Sequence, residues 1–265
     1  MQTSPSMFIT KFKFGVTMLG DGGFDTSWSE RLDCVIGAAI TSKIVSKDLQ
    51  EKLFDNRKKV IYRPILTGLG GTKVEPGIPK QDKVIAQMDD LITKGFPVNH
   101  VVPQITPLLP LAWHETLNRA LEIDYLANLR KLLSDFKKLG IKRVFHGFMM
   151  TDPVSASALK KIESTLVLPP GFFFNRYKEI ALDVIDPDFV YETADPFYPY
   201  AKMNYAINEE DLRVLKLDGK YRLARSFDAL TSLVQLINPK DKNCKGMCIL
   251  CPFGNMKKFD IFNEH

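Results

Sequence analysis

Apolar residues fall along the chain in two alternating rhythms. Short runs rich in Val, Ile and aromatic residues predict strands at Phe12 to Met18, Val60 to Thr67, His100 to Ile105, Arg143 to Met149 and Asp188 to Tyr191. Between them, three-and-four spacing predicts helices at Trp28 to Thr41, Lys47 to Phe54, Gln81 to Lys94, Leu117 to Leu139, Ser155 to Leu166 and Ser226 to Ile237. In the fourth helix, Leu121, Leu129, Leu132, Leu133 and Phe136 mark the buried stripe, and Gly140 supplies the stop.

Strand and helix in repeated order predict parallel pairing through right-handed crossovers, hence an α/β sheet or a full or partial (β/α) barrel. The whole chain, residues 1–265, reads as one domain. In such folds ligands gather at the C-terminal ends of the strands. Three strand ends are unusually equipped: Val60 to Thr67 leads into Gly68-Leu69-Gly70-Gly71-Thr72-Lys73-Val74-Glu75-Pro76, His100 to Ile105 into Thr106-Pro107, and Arg143 to Met149 into Thr151-Asp152. Arg63, Gln104, Thr106, His146 and Asp152 are therefore candidate rim contacts. Beyond Pro169 the pattern loosens into aromatics and prolines, a lid over the rim or ordinary loop packing.

Composition changes this picture little. A hydrophobic fraction of 45% with 25% charged residues is that of a folded globular protein. Charged residues interrupt every candidate membrane span, and the N-terminus lacks the zones of a secretory signal, so the expectation is a cytoplasmic protein with no membrane partner. The net charge of +5 admits a nucleic-acid partner without specifying one, because no long basic block stands out.

Cysteine placement changes the picture most. Of four cysteines, Cys244, Cys248 and Cys251 fall within eight residues as C-x3-C-x2-C, which suits a metal site better than a disulfide framework. A loop of this spacing, spanning 240–255, can curl three thiolates around an iron–sulfur cluster. A cubane has four irons, so three thiolates leave one open to an exogenous ligand. Zinc remains the alternative, with Cys34 or a histidine as fourth ligand.

The C-x3-C-x2-C spacing, with Leu250 directly before the last cysteine, resembles the radical S-adenosylmethionine (SAM) superfamily. Gly70-Gly71 followed by Glu75-Pro76 is similar to that superfamily's Gly-Gly-Glu-Pro stretch at the end of the second strand, here with three residues inserted. Most members carry their cysteines after the first strand, whereas only 14 residues follow Cys251. This placement resembles a bacterial radical-SAM-like family akin to spore photoproduct lyase. The resemblance covers mainly residues 60–150 and 240–255. It implies a 4Fe–4S cluster on Cys244, Cys248 and Cys251 and SAM on the open iron. It also implies cofactor contacts from Gly70, Gly71 and Glu75 and an electron donor such as flavodoxin or ferredoxin; Thr72 in the same segment, and Gln104, Thr106 and His146 at the rim, are further candidate cofactor contacts. Reductive cleavage of SAM would generate a radical that takes hydrogen from substrate, a nucleic-acid base or nucleotide being one class. The competing reading is a zinc-stapled, non-catalytic nucleic-acid-binding protein.

Blander readings stand beside each candidate. Gly70-Gly71 suits a plain turn, and Gly20-Asp21-Gly22-Gly23 either a turn or a second backbone cradle. His146 suits a hydrogen-bonded core histidine, His114 and Glu115 suit helix-start polarity, and Cys34, among Leu32, Val35 and Ile36, suits a buried inert thiol.

Overall fold

The computed structural model describes residues 13–17, 20–72, 74–109, 125–148, 157, 171–184, 190–193, 202–203, 207–218 and 234–241. Eight strands run in chain order: β1 (Phe14–Val16), β2 (Ala38–Ser42), β3 (Val60–Pro64), β4 (Gln104–Leu108), β5 (Arg143–Phe148), β6 (Val190–Thr193), β7 (Lys202–Met203) and β8 (Val234–Leu236). Every described pairing is parallel. The ladders β3-β2-β1-β8 and β4-β5-β6-β7 are joined by parallel bridges Tyr62↔Val101 and Ile65↔Gln104. The resulting order is β8-β1-β2-β3-β4-β5-β6-β7, neighbours in sequence lying beside each other and the last strand returning to the first. Among the described residues, β7 and β8 are not paired with each other.

β1 and β3 are buried along their whole length, as parallel strands covered on both faces are, whereas β8 is partly exposed. One face packs on α1 (Lys47–Asp55), α2 (Gln81–Thr93), α3 (Tyr125–Lys138) and α4 (Gly171–Val184). α1, α2 and α3 follow from their patterns, whereas α4 falls in the stretch beyond Pro169 expected to be a lid or loop packing. In α1, Ser46 caps the first turn by accepting from the Leu49 amide at 3.1 Å, and Leu49 and Leu53 face the sheet. In α2, Val84, Met88 and Leu91 repeat at spacings of four and three. In α3, Leu129, Leu132, Leu133 and Phe136 are buried, and Gly140, at φ +72°, ends the run. The opposite sheet face, carrying Phe14, Val16, Ala39, Ile61 and Val102, is covered by Ile207, Leu212, Val214 and Leu215 in and around the short helix α5 (Glu209–Val214).

Several predicted elements differ. The helix expected over Trp28 to Thr41 is a 3-10 helix, Ser27–Cys34, followed by strand β2. The apolar run Val35 to Ile40 is buried between two strands and a helix layer, so it shows no alternation that would distinguish strand from helix. The strand expected at His100 to Ile105 begins as a 3-10 turn, Val98–His100, and resumes as β4. The helix expected over Ser226 to Ile237 contains β8 at its end. Cys34, expected to be buried, is exposed. Trp28 and Leu32 are the buried residues of that 3-10 helix, and Cys34 stands at its exposed C-terminal end. Apart from residue 157, the predicted helix Ser155 to Leu166 lies outside the described residues, as do His114, Glu115, Asp152 and the three clustered cysteines. Among the described residues, no helix is long and apolar enough to cross a membrane.

Candidate functional site

Loops at the C-terminal ends of β1, β2 and β3 are fastened to one another by carboxylates. Asp21, 8% exposed, accepts hydrogen bonds from the Gly23 amide at 2.8 Å, the Ser42 hydroxyl at 2.6 Å and the Lys43 amide at 2.6 Å. The loop Gly20 to Gly23 is therefore a turn wrapped around its own acid and stitched to the end of β2.

Glu75 does the same for the glycine segment. It is 1% exposed, accepts from Lys43 Nζ at 2.5 Å and accepts a short hydrogen bond from the Thr67 hydroxyl. Its backbone closes the loop: the Gly71 amide donates to the Glu75 carbonyl at 3.0 Å, and the Glu75 amide donates to the Thr72 carbonyl at 3.1 Å. The Thr72 hydroxyl donates to the Leu69 carbonyl at 2.6 Å. A Cβ on Gly70 would stand 2.1 Å from the Pro79 carbonyl oxygen, and Gly71 holds φ +77°, so both glycines are required by the turn itself. A shallow hollow with room for about one water, partly open to solvent, is lined here by Ile65, Thr67, Gly68, Gly70, Glu75 and Ile78 among others. Nearby, burial holds the Tyr125 phenol well above its usual range, and the charge of Glu75 adds to the effect.

Two other candidates share a sheet face. Gln104, 9% exposed, lies abreast of Ile65 and Phe145. Thr106 is one alternation nearer the rim, and its hydroxyl would sit 3.5 Å from a Cβ built on Gly147. Below them on the same face, Arg63 and Arg143 donate to the two oxygens of Asp211 at 2.8 Å each. Arg143 also reaches Asn208 at 3.2 Å. All three charged groups are buried, so Arg63 is a floor residue and not the rim contact expected of it. His146 belongs to the other face: fully buried, its ring meets Tyr177 of α4 at a centroid distance of 6.2 Å and an interplanar angle of 60°. Burial drives its pKa down to about 3, so it is a neutral ring in the helix layer, away from the surface that holds Gln104 and Thr106.

The route to the cysteines runs through β8. Phe14 lies abreast of Val234 and Val16 abreast of Leu236. Beyond the strand, the Lys240 amide donates to the Ser27 hydroxyl at 2.9 Å and the Asp241 amide to Asp25 Oδ2 at 2.6 Å. Lys240 Nζ meets Glu30 at 2.7 Å. Partial burial pushes the Asp25 carboxyl up, but donations from the backbones of Asp241 and Ser27, the Ser27 hydroxyl and the Lys240 backbone outweigh it and leave the pKa below its usual value. Cys244 is three residues beyond Asp241. Among the described residues, no group of three or more His, Cys, Asp or Glu side chains is placed to hold a metal.

The structure thus joins Gly70, Gly71, Thr72 and Glu75 in one loop and Gln104 with Thr106 on one sheet face, and sets His146 apart. Sequence reasoning missed Asp21, Asp25, Lys43 and Thr67. An acid flanked by glycines at a strand end was the available signal for Asp21; nothing local marks Lys43 as the partner of Glu75.

No family model matches the chain, and no curated protein matches it. Among solved structures, the crystal structure of Streptococcus suis SuiB is similar at a TM-score of 0.34 and 13% identity, over 78% of this chain and 45% of that chain. The chain thus spans less than half the length of SuiB, and a likeness this low carries no weight for function.

Proposed function

We propose that the chain is a radical SAM enzyme whose tail thiolates, Cys244, Cys248 and Cys251, hold a 4Fe–4S cluster beside the end of β1. The observation that carries the reading is the return of the chain to its first strand: β8 pairs with β1, and Asp241, three residues before Cys244, is bonded to Asp25 in the loop that follows β1. A cysteine segment at the end of the chain thereby starts from the place where a loop after the first strand would start. The eight strands in sequential order fit a barrel-type sheet with its seam between β7 and β8.

The donor set fits the group, since three thiolates supply three of the four corners and leave one for SAM. When bound, the cluster supplies the electron that cleaves SAM and generates the hydrogen-abstracting radical. The chain's own residues position and enclose. Glu75, engaged by Lys43 and Thr67, shapes the glycine loop and would offer its remaining acceptor capacity to the SAM ammonium group. Gln104 and Thr106 share a sheet face with the Arg63–Asp211–Arg143 group and would contact the substrate from the rim end of that face. A nucleic-acid base or nucleotide accords with the net charge of +5, and a flavodoxin or ferredoxin would deliver the electron.

Protein reconstituted with iron and sulfide without oxygen, then reduced in the presence of SAM, is expected to release 5′-deoxyadenosine, with Cys248→Ala reducing the rate at least about a hundredfold. A wild-type protein that holds a single zinc and leaves SAM intact overturns the reading.

A further inference from the structure

We infer that Asp25 and Ser27 are positioning residues for the tail cysteines, a clasp that fixes where the metal-binding segment leaves the sheet. The inference rests on the proposed cluster site and adds to it the residues that hold that site in place.

Both anchors grip backbone. The two consecutive amides of Lys240 and Asp241 donate to Ser27 Oγ at 2.9 Å and Asp25 Oδ2 at 2.6 Å. Because the contacts are to main chain, they fix the register of the tail whatever the side chains at 240 and 241. The Asp25 carboxylate is already oriented, as its other oxygen accepts from the Ser27 amide at 2.8 Å; one oxygen shapes the loop and the second receives the tail.

The clasp is tied to the sheet in turn. The Asp25 amide donates to the Asp21 carbonyl at 3.1 Å, and the Asp21 side chain accepts from Ser42 and Lys43 at the end of β2. A continuous chain of hydrogen bonds runs from the tail through Asp25 and Asp21 to a buried strand. The Lys240–Glu30 pair is exposed on both sides and adds little. Cys244 follows the clasped Asp241 by three residues, so the clasp stands immediately before the metal-binding segment. Before the clasp the chain is held by β8 and by buried Ile237, whose amide donates to the Val16 carbonyl at 3.1 Å; the clasp extends that hold to Asp241.

Two measurements test the clasp, one independent of metal. In metal-free protein, hydrogen exchange at the Lys240 and Asp241 amides is expected to be protected, and Asp25→Ala or Ser27→Ala to accelerate it by about tenfold at the amide each residue holds, in line with loss of a hydrogen bond, charge-assisted at Asp25. In reconstituted protein, Asp25→Ala is expected to lose iron to a chelator at least about fivefold faster and to shift the cluster midpoint potential. Asp25→Asn, which keeps one acceptor, should recover part of both. Exchange that is unprotected in the wild type, or iron retention and potential unaltered in Asp25→Ala once exchange has risen, overturns the clasp. Wild-type protein that takes up no iron overturns the enzyme reading by itself, and the exchange rates then decide separately whether Asp25 and Ser27 hold the tail.

Discussion

His146 shows how one buried ring couples stability to pH. Its pKa falls from 6.5 to about 3 because burial disfavours the imidazolium. The unfolded chain binds a proton as pH drops through 6.5 while the folded chain does not, so the stability held above that value is lost progressively down to about 3. Between pH 6.5 and about pH 5 the wild type should lose about 2 kcal/mol more than His146→Leu in urea unfolding; parallel pH profiles would contradict this account. The buried state of His146 was one of two readings open in its sequence, and its face was not, since a strand alternates sides and the register is set by neighbours far along the chain. The acids behave likewise. Glu75 was visible beside its glycines, but the cation it binds, Lys43, lies 32 positions away, and no local pattern encodes that distance.

At the scale of elements, α5 is the clearest case of tertiary structure overriding pattern. Six residues are too few to show a period, yet a capping box between Asn208 and Asp211 starts the helix and presents Asp211 to Arg63 and Arg143. With Asp211 removed, two buried guanidinium groups lose their shared counter-ion. Asp211→Ala is therefore expected to cost about 3–5 kcal/mol in denaturant unfolding, and a loss below about 1 kcal/mol would show that other groups neutralise the pair. The longer helices α1, α2 and α3 were legible because each has one dry face. The 3-10 helix and β2 were not, because Ala38, Ala39 and Ile40 are buried all round and an apolar run without alternation reads equally as either element.

For the molecule as a whole, alternation of strand and helix was enough to anticipate a parallel α/β sheet, and the structure adds what periodicity cannot encode: sequential strand order and the return of β8 to β1. That return sets Asp241, three residues before the cysteine triplet in the sequence, against Asp25 in the loop after β1. The most direct test is the iron, zinc and acid-labile sulfide content of protein purified and reconstituted without oxygen. The account predicts about four irons and four sulfides per chain, lost when Cys244, Cys248 and Cys251 are replaced together by Ala; one zinc per chain with no sulfide would contradict it.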